Sequence, residues 1–338
     1  MIMHYTLSLF MNDIPERIRS LMSACVECGA CLDVCPSHRY GGANPMEAMI
    51  GGNGNVTSCI GCLNCSHVCN VTDPARVMMY LNCIESGAKI PDLFHDIGFS
   101  IKQTEQLSRT ELPPKWKGND VYLMPGCFVE GKFPFLKYAT SVVMNAVDIG
   151  CCEIPNSKCC MFPVPFRIMT DEERDDYKEK MNPDDGKGIV TLCPGCAAEL
   201  EETGMDAEHI VQLLYKHLDS VSKFKGVKLK VALQPGCHIM IHYPKEFEAL
   251  VRATGATLVG NRIGCCGKSV KDISEKLMKE RQEDIKGADA VITGCPSCMF
   301  RYDNVKDGVP VLHIIELLAL AMGDSSTQKY HKLKLKDI

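Results

Sequence analysis

"GIVTLCPGC", residues 188–196, returns as "AVITGCPSC" at 290–298, and that recurrence decides how everything after residue 119 is read. Upstream of the first copy stands "VYLMPGC" (121–127), and upstream of the second "VALQPGC" (231–237). Downstream stand "HIVQLLYKHL" (209–218) and "HIIELLALAM" (313–322). Matches in the same order on both sides make a tandem duplication. Each copy reads as apolar strand, turn with cysteine, helix, strand, paired cysteines, helix, strand, then C-P-x-C before another helix. This alternation predicts a small α/β unit whose cysteines gather at the carboxyl ends of its strands, where open α/β sheets place their sites.

The cysteines align between the copies. In the second they are Cys237, the pair Cys265-Cys266 followed by Gly267, then Cys295 and Cys298, with gaps of 27 and 28 residues around the pair. In the first, Cys127, Cys193 and Cys196 are fixed by the repeat, but "GCCEIPNSKCC" (150–160) offers two pairs. Choosing Cys159-Cys160 gives gaps of 31 and 32; choosing Cys151-Cys152 gives 23 and 40. The near-symmetric choice matches the second copy, so Cys159-Cys160 become ligands. Cys151-Cys152 fall opposite the strand "ATLVG" and are read as strand residues.

The N-terminal part carries a different array. "CVECGACLDVCP" supplies Cys25, Cys28, Cys31 and Cys35, and "CIGCLNCSHVCN" supplies Cys59, Cys62, Cys65 and Cys69. Each run is C-x2-C-x2-C-x3-C, the spacing that wraps a cubane [4Fe-4S] cluster, with the fourth cysteine of each run serving the other cluster. The expected ligand sets are therefore Cys25, Cys28, Cys31 and Cys69 for one cluster, and Cys59, Cys62, Cys65 and Cys35 for the other. Gly29 and Gly61 suit loops folded that closely, because such loops need permissive backbone angles.

Composition closes off other classes. The 338 residues are 46% hydrophobic, enough for real cores, and the net charge of -5 argues against a nucleic-acid partner. Residues 1–18 lack a basic n-region, and the longest apolar run, "VPVLHIIELLALAM", is too short and polar to span a bilayer. Twenty-one cysteines without an export signal point to a reducing, cytoplasmic setting and to metal or redox work rather than structural disulfides. With neither G-x-G-x-x-G after a strand nor a P-loop, the chain has no nucleotide or flavin site of its own, so electrons enter from another protein.

The remaining residues are weighed singly. Cys83, in "RVMMYLNCIESG", reads as a small buried hydrophobe. His209 and His313 recur at corresponding helix starts, which a shared fold position explains better than ligation. His238, directly after Cys237, is the candidate proton donor at the second site, with His242 nearby. Arg262, Lys268 and Arg301 flank that site and suit an anionic substrate group. The run 170–180, "TDEERDDYKEK", reads as an exposed helix without chemistry, and 84–118 as a linker.

Residues 25–69 together with the two repeats resemble the heterodisulfide reductase family, in particular its catalytic subunit in which a ferredoxin-like part and two CCG parts form one polypeptide. The resemblance covers almost the whole chain. It implies an α-helical ferredoxin-like two-[4Fe-4S] domain (1–83), the linker (84–118), and two tandem α/β CCG domains (119–225 and 226–338). It further implies a noncubane [4Fe-4S] cluster on each five-cysteine set, with a small-molecule disulfide, the coenzyme M-coenzyme B heterodisulfide, bound between them. The electron-donating partner would be a flavoprotein, a hydrogenase-linked subunit or a cytochrome-type subunit, and any membrane association would come through it. Five thiolates exceed the four that a cubane or tetrahedral zinc requires, so an adjacent pair can bridge irons in an opened cluster. The first copy departs from the family in having Met161 where glycine follows the pair, which leaves zinc on four of its five cysteines as the alternative there. Two other functions share these motifs: an electron-relay subunit of a glycolate, lactate, thiol:fumarate or succinate oxidoreductase, and a redox assembly factor for a partner metalloenzyme.

Overall fold

The structure, a computed structural model, describes residues 14–86, 112–155, 159–160, 171–181, 185–224, 226–260, 264–267, 270–305 and 308–336. Met161, Arg262, Lys268 and most of the expected linker lie outside the described residues.

The N-terminal part is helical: α1 (Glu16–Ser23), α2 (Ala30–Asp33), α3 (Pro36–Arg39), α4 (Pro45–Met49), α5 (Asn64–Val68) and α6 (Pro74–Glu85). Its helix starts are written in sequence. Asn44 and Asp73 are side-chain N-caps, accepting from the backbone N–H groups of Glu47 and Arg76, and each is followed by a proline at the first helical position. The long helix α6 buries Val77 and Tyr80 against Ile18, Met22 and Met49, and Met78 against Ala43, Ala48 and Val56. Cys83 is 3% exposed within it, as expected of a core thiol.

Two four-stranded parallel sheets follow. The first is built from β1 (Val121–Met124), α7 (Cys127–Lys132), α8 (Phe135–Ala146), β2 (Cys151–Glu153), α9 (Asp171–Met181), β3 (Ile189–Thr191), α10 (Pro194–Glu202), β4 (Ala207–His209), α11 (Ile210–Lys216) and α12 (Leu218–Val221). The second is built from β5 (Lys230–Leu233), α13 (Cys237–His242), α14 (Pro244–Ala253), β6 (Thr257–Leu258), α15 (Lys271–Asp284), β7 (Ala290–Thr293), α16 (Pro296–Asp303), β8 (Val311–His313) and α17 (Ile314–Ala321). The orders β2-β1-β3-β4 and β6-β5-β7-β8 are the same topology twice. Strands β3 and β7 are wholly buried, as parallel strands covered on both faces should be. The repeat unit contains a closing strand, β4 or β8, that the sequence pattern alone does not announce.

The copies meet reciprocally. Helix α8 packs on α17 and its counterpart α14 packs on α11, while α7 meets α16 and α13 meets α10. Phe128 and Phe300 stack edge to face with centroids 5.8 Å apart, and the Tyr138 hydroxyl donates to Asp324 at 2.8 Å.

Candidate metal centres

The N-terminal cysteines line two cavities. One, of about 370 Å³, is bordered by Cys25, Cys28, Cys31 and Cys69, and the other, of about 350 Å³, by Cys35, Cys59, Cys62 and Cys65. In each, the fourth thiol comes from the other cysteine run. The loops reach this shape by a shared backbone device: the residues on both sides of the middle cysteine have positive φ. They are Glu27 (53°) and Gly29 (79°) around Cys28, and Gly61 (62°) and Leu63 (63°) around Cys62. Only one position per loop is glycine, so Glu27 and Leu63 carry left-handed strain of about 1–2 kcal/mol each.

The donor chemistry fits iron-sulfur clusters. Burial pushes the Cys59 thiol up to about 12 and Cys65 well above its usual value, with the neighbouring thiols adding to both shifts. Four such thiolates are stable together only around positive charge. Backbone N–H groups of His38, Gly61 and Thr72 point at the sulfurs of Cys35, Cys59 and Cys69 at 3.4, 3.5 and 3.4 Å, the bonds that tune a cluster's potential. Among the described residues no three His, Cys, Asp or Glu side chains converge tightly enough to hold one bare ion. These thiols ring a space, as a multi-atom cluster requires.

In the repeats, strand order sets the site. Each sheet reverses direction of growth between β1 and β3, or β5 and β7, and ligands of open α/β sheets bind beyond the carboxyl ends at such a switch point. Cys127 and Cys193 follow β1 and β3; Cys237 and Cys295 follow β5 and β7. The loops are closely apposed: a Cβ on Gly126 (φ 86°) would stand 3.2 Å from Cys196 Sγ, and one on Gly236 (φ 108°) 2.8 Å from Cys295 Cβ.

The thiols form one continuous belt. Cys160 bonds to Cys196 and Cys196 to Cys193 in the first copy; Cys266 bonds to Cys298, with sulfurs 3.4 Å apart, and Cys298 to Cys295 in the second. Cys193 and Cys295 then join the copies by a side-chain hydrogen bond. Donation from Cys193 and Cys298 holds Cys295 well below the ordinary thiol range, so the belt concentrates thiolate character at its centre.

Each cysteine pair is tied down by a tyrosine, and the two come from different places. In the first copy Tyr177, fully buried on α9, donates to the Cys159 carbonyl at 3.1 Å. In the second, Tyr302 donates to Gln234 at 2.9 Å, and Gln234 donates to the Gly264 carbonyl at 2.7 Å, just ahead of Cys265. The positions of Gln234 and Tyr302 are held in the first copy by Met124 and Leu200, so repeat alignment hides this network. Tyr177 corrects the expectation that the acidic run 170–180 is without chemistry: a single tyrosine in a charged helix gave no sequence signal.

His238 is buried beside Cys237 and stacks on His242 with ring centroids 6.3 Å apart. Arg301 lies on α16, three residues after Cys298. Cys151 and Cys152 are indeed strand residues, paired with Val121 and Tyr122 in β1. We expect Cys151→Ala/Cys152→Ala to leave the iron content of the purified protein unchanged; a loss of iron on this substitution would show the ligand pairing to be wrong.

The chain matches the 4Fe-4S dicluster domain over residues 17–70 and the cysteine-rich CCG domain over 121–201 and again over 231–301. It is therefore an iron-sulfur electron-transfer protein of the dicluster, tandem-CCG class. One subunit of the ferredoxin:CoB-CoM heterodisulfide reductase of Methanosarcina mazei is 26% identical over 279 residues, covering 62% of this chain and 91% of that one. The 8-methylmenaquinol:fumarate reductase membrane anchor subunit of Wolinella succinogenes is 32% identical over 261 residues, covering 59% and 90%. A crystal structure of a hypothetical protein from Helicobacter pylori shares the fold, with a TM-score of 0.51 at 12% identity over 90% of this chain and 68% of that one. The chain belongs to the heterodisulfide reductase catalytic subunit family, in the form that fuses the ferredoxin-like and two CCG parts. Among the described residues no helix is long and apolar enough to cross a membrane.

Proposed function

We propose that this chain accepts single electrons from a partner protein at its N-terminal cysteine cavities and uses them at the paired CCG sites to cleave a disulfide of two low-molecular-weight thiols. The coenzyme M-coenzyme B heterodisulfide is the substrate we assign. The observation that supports this best is the thiol belt: two soft-metal sites meeting at Cys193 and Cys295 suit a substrate with two sulfurs to part.

The reaction consumes two electrons and two protons and yields two thiols. Bound iron-sulfur clusters would supply the electrons singly. The chain would hold them through Cys25, Cys28, Cys31 and Cys69, through Cys59, Cys62, Cys65 and Cys35, and through the two five-cysteine sets, Cys127, Cys159, Cys160, Cys193 and Cys196, and Cys237, Cys265, Cys266, Cys295 and Cys298. His238, adjacent to Cys237, would deliver a proton to a product thiolate. Domain limits at 1–83, 119–225 and 226–338, with 84–118 between, fit this division of labour.

A second reading, an electron-relay subunit without its own substrate, is favoured by the 32% identity to the fumarate reductase anchor. Dithionite-reduced protein mixed with the heterodisulfide separates the two. Stoichiometric thiol release supports the reductase; absence of release together with reoxidation by a flavoprotein supports the relay. Metal analysis addresses the first CCG site: about 16 irons per chain for four clusters, or about 12 with one zinc.

A further inference from the structure

The C-P-x-C loop of each copy is held by a side chain from the other. His209 donates from Nε2 to the Gly294 carbonyl at 3.0 Å, and His313 donates from Nε2 to the Leu192 carbonyl at 3.1 Å. Gly294 and Leu192 are the residues immediately before Cys295 and Cys193. On its other side each ring accepts at Nδ1, from the Val211 and Ile315 N–H groups at 3.4 Å. A carbonyl can only accept and a backbone N–H can only donate, so both imidazoles are neutral with the proton on Nε2. Burial depresses both pKa values, in keeping with that tautomer.

Histidine is an unusual choice for these positions. Both residues are helix N-caps, His209 for α11 and His313 for α17, where serine, threonine, aspartate or asparagine ordinarily serve. Those short side chains would cap the helix equally well but would end short of the opposite loop. The imidazole does both jobs, and it does so in both copies. Gly294 contributes by leaving space: a Cβ there would lie 3.3 Å from His209 Cε1 and would collide with Ile239.

We propose that the two histidines are crossed positioning residues: His313, in the second copy, sets the Cys193–Cys196 loop of the first site, and His209, in the first copy, sets the Cys295–Cys298 loop of the second. This rests on the reading of the CCG sites as metal centres given above. Neither site is complete without both copies.

Two substitutions separate capping from crossing. Asparagine keeps the cap but loses the reach, whereas glutamine carries an amide N–H at the distance of Nε2. Full-length protein is prepared in two single-site backgrounds: Cys298→Ser, which leaves the first site, and Cys196→Ser, which leaves the second. We expect His313→Asn to lower metal at the first site roughly fivefold and to spare the second; His209→Asn should do the reverse, and both glutamine variants should retain metal. A metal-independent reading comes from alkylation of the metal-stripped full chain, followed by peptide mass spectrometry. Cys193 should react roughly five- to tenfold faster in His313→Asn, and Cys295 in His209→Asn. Losses confined to the histidine's own copy, equal effects at both sites, or glutamine variants as damaged as asparagine variants would overturn the proposal. If the unsubstituted protein has no metal at the CCG cysteines, it is the metal-centre reading that falls, and the alkylation pattern alone decides the anchoring.

Discussion

Alanine at Gly236 is expected to empty the second CCG site of metal. The residue holds φ 108° and its Cβ would lie 2.8 Å from Cys295 Cβ, a backbone-anchored atom that cannot swing aside. Left-handed strain of about 1–3 kcal/mol adds to that overlap, and the relief available is to separate the Cys237 turn from the Cys295 loop, which parts the ligands. The matched change in the first copy, Gly126→Ala, meets the flexible Cys196 sulfur at 3.2 Å and should cost less. Iron per chain, measured on both variants beside the unsubstituted protein, checks the ranking. Full iron in Gly236→Ala would mean that the loop relaxes without moving Cys295.

Substituting His331 is expected to be the most destabilising change away from the cysteines. Its Nε2 lies 2.9 Å from Glu316 and its Nδ1 3.8 Å from Asp303, with all three side chains at most 7% exposed. Burial alone would push the imidazole down, but the two carboxylates outweigh it and hold the histidine charged, with a pKa of about 10. His331→Ala leaves the Glu316 carboxylate buried and unpaired by charge, at a cost of about 3–5 kcal/mol. Glu316 also accepts from the His313 N–H, so the start of α17 is loosened at the same time. Adding Glu316→Gln should recover part of the loss by removing the orphaned charge, and denaturant unfolding of the single and double variants measures both effects. The pH dependence has a definite sign. Because the folded pKa is raised above about 6.5, the His331 contribution is complete below that pH and is lost as pH rises through about 10. The neutral His209, held to about 3 by burial and then by His313, works the other way: its contribution falls away as pH drops from about 6.5 toward 3.

Much of this was legible in the residues because cysteine spacing is tied to cluster geometry and because the duplication lets one copy read the other. Symmetry of the gaps selected Cys159-Cys160 over Cys151-Cys152, and the latter pair does lie in β2. What repeat alignment cannot supply are contacts that differ between copies, such as Tyr177 on α9 against the Gln234–Tyr302 pair, since an aligned position of unlike chemistry looks like noise. Three-residue strands such as β4 and β8 are too short to show a period of two, so only His209 and His313 at their ends marked the place. The positive φ of Glu27 and Leu63 was hidden for the same kind of reason: neither residue type advertises the angle that the loop imposes on it.

The reciprocal packing of the copies also bears on stoichiometry. Groups matched by the repeat bond to one another in exchange, His209 to Gly294 and His313 to Leu192, which is the pattern of an isologous dimer interface contained within one polypeptide. A single repeat produced alone would bury a ring N–H and a carbonyl that complement each other only across a second molecule. Cut between the repeats, either half should self-associate, whereas covalent fusion fixes the ratio at one to one and frees each half to change on its own.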